Sequence, residues 1–106
     1  MALSETSFVT IAEATINRLC VMVETLDEDD ILEIEQSSGM LSIETPSGKT
    51  FVINRQIPTR QIWLSSPLSG GLRFDYDEDE KIWALSDGRR LDTLLKADLE
   101  TLMEDE

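Results

Sequence analysis

Histidine is absent from this chain, and cysteine occurs once, at Cys20. Without an imidazole there is no Ser–His or Cys–His pair for nucleophilic catalysis, and no histidine ligand for zinc or haem. A single thiol closes no intramolecular disulfide, which suits a reducing compartment. Cys20 would need activation to act as a nucleophile, and a helical position flanked by acids raises a thiol's pKa instead. Phosphate-cradling loops are missing too, because the glycines stand singly in turns or as Gly70-Gly71.

Basic residues are scarce: 9 Lys and Arg face 22 Asp and Glu, a formal charge of −13. That field repels the phosphate backbone from which nucleic-acid affinity mostly comes, and it disfavours anionic membrane surfaces. It favours cations, or a protein with a basic face. No apolar run approaches the ~20 residues that cross a bilayer. No secretory start follows Met1, and no Arg-rich transit segment is seen. The expectation is a soluble protein of the cytosol or of an organelle matrix, without nucleic-acid or membrane partners.

What is present fits one domain, residues 1–106, with 41% apolar residues for a single core. From Ser4 to Leu26, the residues Phe8, Ile11, Ala12, Ile16, Leu19, Val23 and Leu26 recur at helical spacing, with Ser4 as N-cap and Glu5 in the first turn. Strands are expected at 31–36, 40–45, 49–55, 61–65, 72–76 and 81–85, where apolar and polar residues alternate between turns such as Ser37-Ser38-Gly39 and Pro46-Ser47-Gly48. After Gly88, Leu91, Leu94, Leu95, Leu99 and Leu102 return to helical spacing, and the tail Glu104 to Glu106 opposes the helix dipole and is expected to fray. The class is α+β: two helices packed on one face of an antiparallel sheet of about six strands, in the order α-β-β-β-β-β-β-α.

Three constellations could carry chemistry. Asp75, Asp77 and Asp79 imitate the start of a calcium loop, but Glu80 takes the glycine position and Ser86 that of the final Glu, so a solvated hairpin turn is the better reading. The acids Glu13, Glu24, Asp27, Glu28, Asp29, Asp30, Glu33 and Glu35 form a candidate ridge, with Glu13, Asn17, Cys20, Glu24 and Glu28 on one outward helical stripe. Their oxygens suit hard cations such as iron, calcium or magnesium, held weakly for want of a cage; the alternative is a solvated face that serves solubility. In the third, alternation sends Ile53, Ile62 and Leu64 inward and Asn54, Gln61 and Trp63 outward. An outward tryptophan among amides and arginines has the composition of an interface anchor, and the alternative is cross-strand packing. The face of Trp83 is undetermined by alternation, with core its expected role.

The runs Phe51-Val-Ile-Asn-Arg-Gln and Gln61-Ile-Trp-Leu-Ser-Ser-Pro-Leu-Ser-Gly closely resemble the frataxin family, called CyaY in bacteria. The likeness extends to Gly39-Met40-Leu41, Arg73-Phe74-Asp75 and Trp83, and so over essentially the whole chain. It implies an α-β sandwich and an iron-binding regulator of iron–sulfur cluster assembly that docks on the cysteine desulfurase and its scaffold. By the same resemblance, the ridge would meet ferrous or ferric iron and the desulfurase, and Asn54, Gln56, Gln61, Trp63 and Arg73 would meet partners. The alternative it carries is an iron chaperone or storage protein with weak ferroxidase activity; the expected state is mainly a monomer that iron can assemble. Asn17, Cys20 and Val21 stand where relatives often place acids, which implies a reduced iron capacity. A regulatory role, not an enzymatic one, is expected, in a bacterial cytoplasm or, alternatively, a mitochondrial matrix.

Overall fold

The computed structural model describes Leu3–Glu104. The Ser4 hydroxyl accepts the Ser7 amide at 3.1 Å and opens α1 (Glu5–Leu26), whose first turn carries Glu5. The helix buries Phe8, Ala12, Thr15, Ile16, Leu19, Cys20 and Val23. Ile11 and Leu26 are half-buried at the border of that stripe. Cys20 is a correction: expected outward, it is only 8% exposed and belongs to the core. It lies four residues after Ile16 and three before Val23, so a stripe broad enough to cover a sheet includes it.

Asp27 ends the helix. Its amide donates to the Val23 carbonyl at 3.0 Å, and its carboxylate accepts the amides of Ile31 at 2.8 Å and Leu32 at 3.0 Å. The acidic run is thereby folded into a tight turn, with Asp30 at φ 56. By length and apolar content α1 reaches what a membrane crossing requires. Its apolar stripe, however, packs against the sheet, as in a core helix.

The strands β1 (Glu33–Ser37), β2 (Met40–Glu44), β3 (Thr50–Gln56), β4 (Gln61–Ser66), β5 (Gly70–Asp77) and β6 (Ile82–Ala84) form one antiparallel meander in chain order. Alternation is obeyed: Leu41, Ile43, Phe51, Ile53, Ile62, Leu64 and Phe74 are at most 1% exposed. They meet the buried side of α1, which lies over β1–β3, and that of α2 (Leu91–Glu104), which meets β6 and buries Leu91, Leu94, Leu95, Leu99 and Leu102. Both helices cover one face and leave the other open. Glu104 is the last helical residue, and the rest of the tail expected to fray, residues 105–106, lies outside the described residues.

Three contacts tie the layers together. Trp83 is buried, its ring edge-on to Phe8 and tilted against Tyr76, and its indole N–H donates to Thr15 Oγ1 at 2.9 Å. Arg55 reaches from β3 to pair with Glu13 of α1. Gly39, at φ +76, makes room for that arginine, since a Cβ there would lie 2.6 Å from Arg55 Nε. Finally, Ser66 and Ser69 both donate to Asp98 Oδ2 of α2, at 2.7 and 2.6 Å, while Ser66 Oγ accepts the amides of Leu68 and Ser69.

Candidate functional site

The open face is built by register. Met40 pairs with Asn54, Asn54 with Trp63, and Trp63 with Arg73, so four outward side chains form one row across β2 to β5. The next row sets Gln56 opposite Gln61, whose amide donates to Asp75 Oδ1 at 3.1 Å. All five residues expected to meet a partner thus fall on two adjacent rows.

Trp63 is held from two sides yet remains half-exposed. Its indole N–H donates to Gln61 Oε1 at 3.0 Å, and the Arg73 guanidinium lies 4.7 Å from the ring centroid, within range of a cation–π attraction. Beside it runs a shallow groove of about 250 Å³ lined by Asn54, Trp63, Ser65, Gly71 and Arg73. At Gly71 an added Cβ would meet nothing within 4 Å, so the backbone there borders open space. The face offers a rigid aromatic plate, amide donors and acceptors and one cation, a set of groups that suits recognition.

Two apolar residues near this face were not singled out from sequence. Met40 is 42% exposed at the β2 end of the row, and Leu68 is 49% exposed on the β4–β5 turn that Asp98 braces. The alternation Met40, Ser42, Glu44 carried the signal for Met40. For Leu68 there was none, since its exposure follows from the turn's anchorage to α2.

The acidic residues divide into two groups. Glu24, Glu28, Asp29, Asp30, Glu33 and Glu35 are exposed around the α1–β1 junction. Glu13 is half-buried and paired with Arg55, and Asp27 is buried with its carboxylate bonded to the turn's amides. Among the described residues no three Asp, Glu, His or Cys side chains converge to hold a metal ion. Asn17 is tied to Gln36 of β1, and burial pushes the Cys20 thiol above its ordinary pKa, with the charge of Glu24 and a hydrogen bond to it acting in the same direction. The segment after Asp77 is a hairpin turn in which Asp77 Oδ1 accepts the amides of Asp79 at 3.0 Å and Glu80 at 3.2 Å, so this carboxylate organises the backbone.

Comparison with known proteins adds a family. Residues 1–105 match the family model described as a Frataxin-like domain. The chain is 44% identical over 91 residues to the mitochondrial frataxin of Dictyostelium discoideum, covering 85% of this chain and 47% of that protein, so it spans about half of that relative's length. It is 39% identical over 84 residues to the iron-sulfur cluster assembly protein CyaY of Pseudomonas entomophila, covering 78% of this chain and 73% of that one. Among solved structures, a trimeric frataxin from Saccharomyces cerevisiae complexed with ferrous iron superposes with a TM-score of 0.72 at 35% identity, covering 95% of this chain and 87% of that one.

Proposed function

This chain belongs to the frataxin family, and we propose that it is an iron-binding regulator of iron–sulfur cluster assembly that docks through its open sheet face on a cysteine desulfurase–scaffold complex. The observation that carries this reading is the row Met40, Asn54, Trp63, Arg73, a half-exposed indole fixed by its neighbours on an otherwise uncovered sheet. A pre-fixed aromatic loses little conformational entropy on binding, which is what makes such residues effective anchors. The name of the Pseudomonas relative supports the assembly role.

Iron is cargo in this reading. The exposed carboxylates supply hard oxygen donors one or two at a time, which fits a hydrated cation bound weakly on the ridge at Glu24, Glu28, Asp29, Asp30, Glu33 and Glu35. Glu13 and Asp27 enter it only by giving up the bonds they make within the fold. The same ridge is complementary to a basic desulfurase surface. The compartment we propose is one that houses cluster assembly, the bacterial cytoplasm or the mitochondrial matrix, since both CyaY and mitochondrial relatives match.

Cluster assembly on the scaffold, followed with desulfurase and iron, tests this reading. Trp63→Ala and Asn54→Ala are expected to remove both binding and the change in rate, and unchanged rates and binding in both variants would sink it. An iron chaperone or storage role with weak ferroxidase activity is the second reading, favoured by the ferrous complex of the trimeric yeast relative. Its test is the ferrous oxidation rate with and without the exposed ridge acids, and a rate equal to that of iron in buffer rules it out.

A further inference from the structure

On the helix-covered side, a groove of about 640 Å³ opens between α1 and the β5–β6 edge and ends at the start of α2. Its volume is that of a small-molecule site. Ile11 and Met22 of α1, Tyr76 and Ile82 of the sheet, and Leu91 of α2 form its walls, with Trp83 behind them. Ile11, Met22, Tyr76 and Ile82 are only half-buried, so apolar surface remains in the groove that the core does not cover.

The charge of this groove is opposite to that of the chain. Three cations, Arg18, Lys81 and Arg90, line it against one carboxylate, Asp92, a formal balance of +2 in a chain of −13. Arg90 is held by Asp92 through two hydrogen bonds of 3.1 and 2.8 Å. Among the described residues Arg18 has no carboxylate partner, and it donates to Thr15 Oγ1 at 3.3 Å. The Lys81 ammonium has no hydrogen bond or ion pair among the described residues. Lys81 is also fixed at φ 57, a conformation disfavoured for any residue with a Cβ, by the bond from its amide to the Asp77 carbonyl at 2.7 Å. The turn thus directs a lysine to the groove at a position where glycine or asparagine is the ordinary choice.

We propose that this groove binds a small organic anion with an apolar body, its carboxylate between Arg18 and Lys81 and its hydrocarbon against Ile11, Met22 and Ile82. Asp77, Glu78, Asp79 and Glu80 share the turn of Lys81 but do not line the groove; acids farther than ~8 Å are screened at physiological salt, whereas the lining cations act at contact. The site is separate from the sheet face and stands without the assembly reading.

Octanoate is the probe, with octan-1-ol and octylammonium as neutral and cationic controls of the same chain length. Titrated into the 15N-labelled protein below its micelle threshold, octanoate is expected to shift the Trp83 indole and the amides of Ile11, Met22 and Ile82 saturably, and to leave the Trp63 indole in place. Lys81→Gln and Arg18→Gln are each expected to weaken octanoate about fivefold, the upper range for a partly exposed ion pair, with octan-1-ol unaffected. The ligand-free Trp83 resonance reports that each variant is folded. Equal affinity for octan-1-ol and octanoate, unchanged affinity in both variants, no saturable shift, or a shift centred on Trp63 each overturns the proposal.

Discussion

The indole N–H of Trp83 donates to the Thr15 hydroxyl at 2.9 Å, joining the short strand β6 to the middle of α1 inside the core. Thr15 donates in turn to the Ile11 carbonyl at 2.9 Å, so a polar group at 6% exposure is satisfied in both roles. Thr15→Val removes the acceptor and leaves a buried indole donor unpaired. The expected loss is about 1–3 kcal/mol by urea unfolding, with Thr15→Ser losing clearly less. Equal stability of Thr15→Val and the parent chain would refute the role of this bond.

Asp27 has a comparable structural task at the turn from α1 to β1. Two backbone donors end on its carboxylate, and hydrogen bonds to a charged group are stronger than neutral ones. Asp27→Ala is expected to cost about 1.5–3 kcal/mol. Glu28→Ala, at an exposed neighbour, is expected to stay within ~0.5 kcal/mol of the parent. If the two substitutions cost the same, Asp27 is not the organiser of this turn.

Asp98 fixes the β4–β5 turn through Ser66 and Ser69 and so sets where Leu68 stands. Asp98→Ala is expected to speed amide exchange at Leu68 and Ser69 while leaving exchange in β2 and β3 unchanged. Uniformly faster exchange over the whole sheet would mean global destabilisation instead.

Trp63→Ala is expected to weaken partner binding by about 2 kcal/mol or more, the loss typical of an interface anchor. Arg73→Ala is expected to weaken it less, since the arginine acts partly by holding the ring. Stability is the control: Trp63 faces solvent, and unfolding of the free protein is expected to change little. A large loss of stability with unchanged binding would assign the tryptophan to cross-strand packing alone.

The Cys20 thiol ionises above its ordinary value of 9.0, chiefly through burial. In the unfolded chain it ionises at that ordinary value. Its contribution is therefore full below that pH and is lost as pH rises through the higher folded value. Cys20→Val is expected to flatten this alkaline loss, followed by urea unfolding at a series of pH values. Thiol labelling of the folded parent is expected to be slow, and rapid labelling would contradict the burial of this group.

Local chemistry made much of this protein legible in advance. Alternation in 49–55 and 61–65 put Ile53, Ile62 and Leu64 inside and Asn54 and Trp63 outside, because a period of two leaves only one way to bury the apolar set. Helical spacing located α1 and α2, and the Ser4 cap marked the start of the first. The charge of −13 and the missing histidine restrict the chemistry at the level of composition, and the Asn-Arg-Gln and Gln-Ile-Trp-Leu-Ser-Ser-Pro runs point to the family.

Distance along the chain hid the rest. Thr15 and Trp83 are 68 residues apart and Glu13 and Arg55 are 42 apart, and no local pattern pairs them. Cys20 sits at the border of the apolar stripe, where the strand beneath decides between core and solvent, so periodicity alone placed it wrongly. The ridge was a list of acids until packing divided it: Asp27 closes a turn, Glu13 meets an arginine, and the others remain in solvent. Composition determined how much charge and apolar surface this chain carries. Only the folded sheet and helices decided which charges are used within the protein and which are left for a partner, because that depends on contacts between residues the sequence keeps apart.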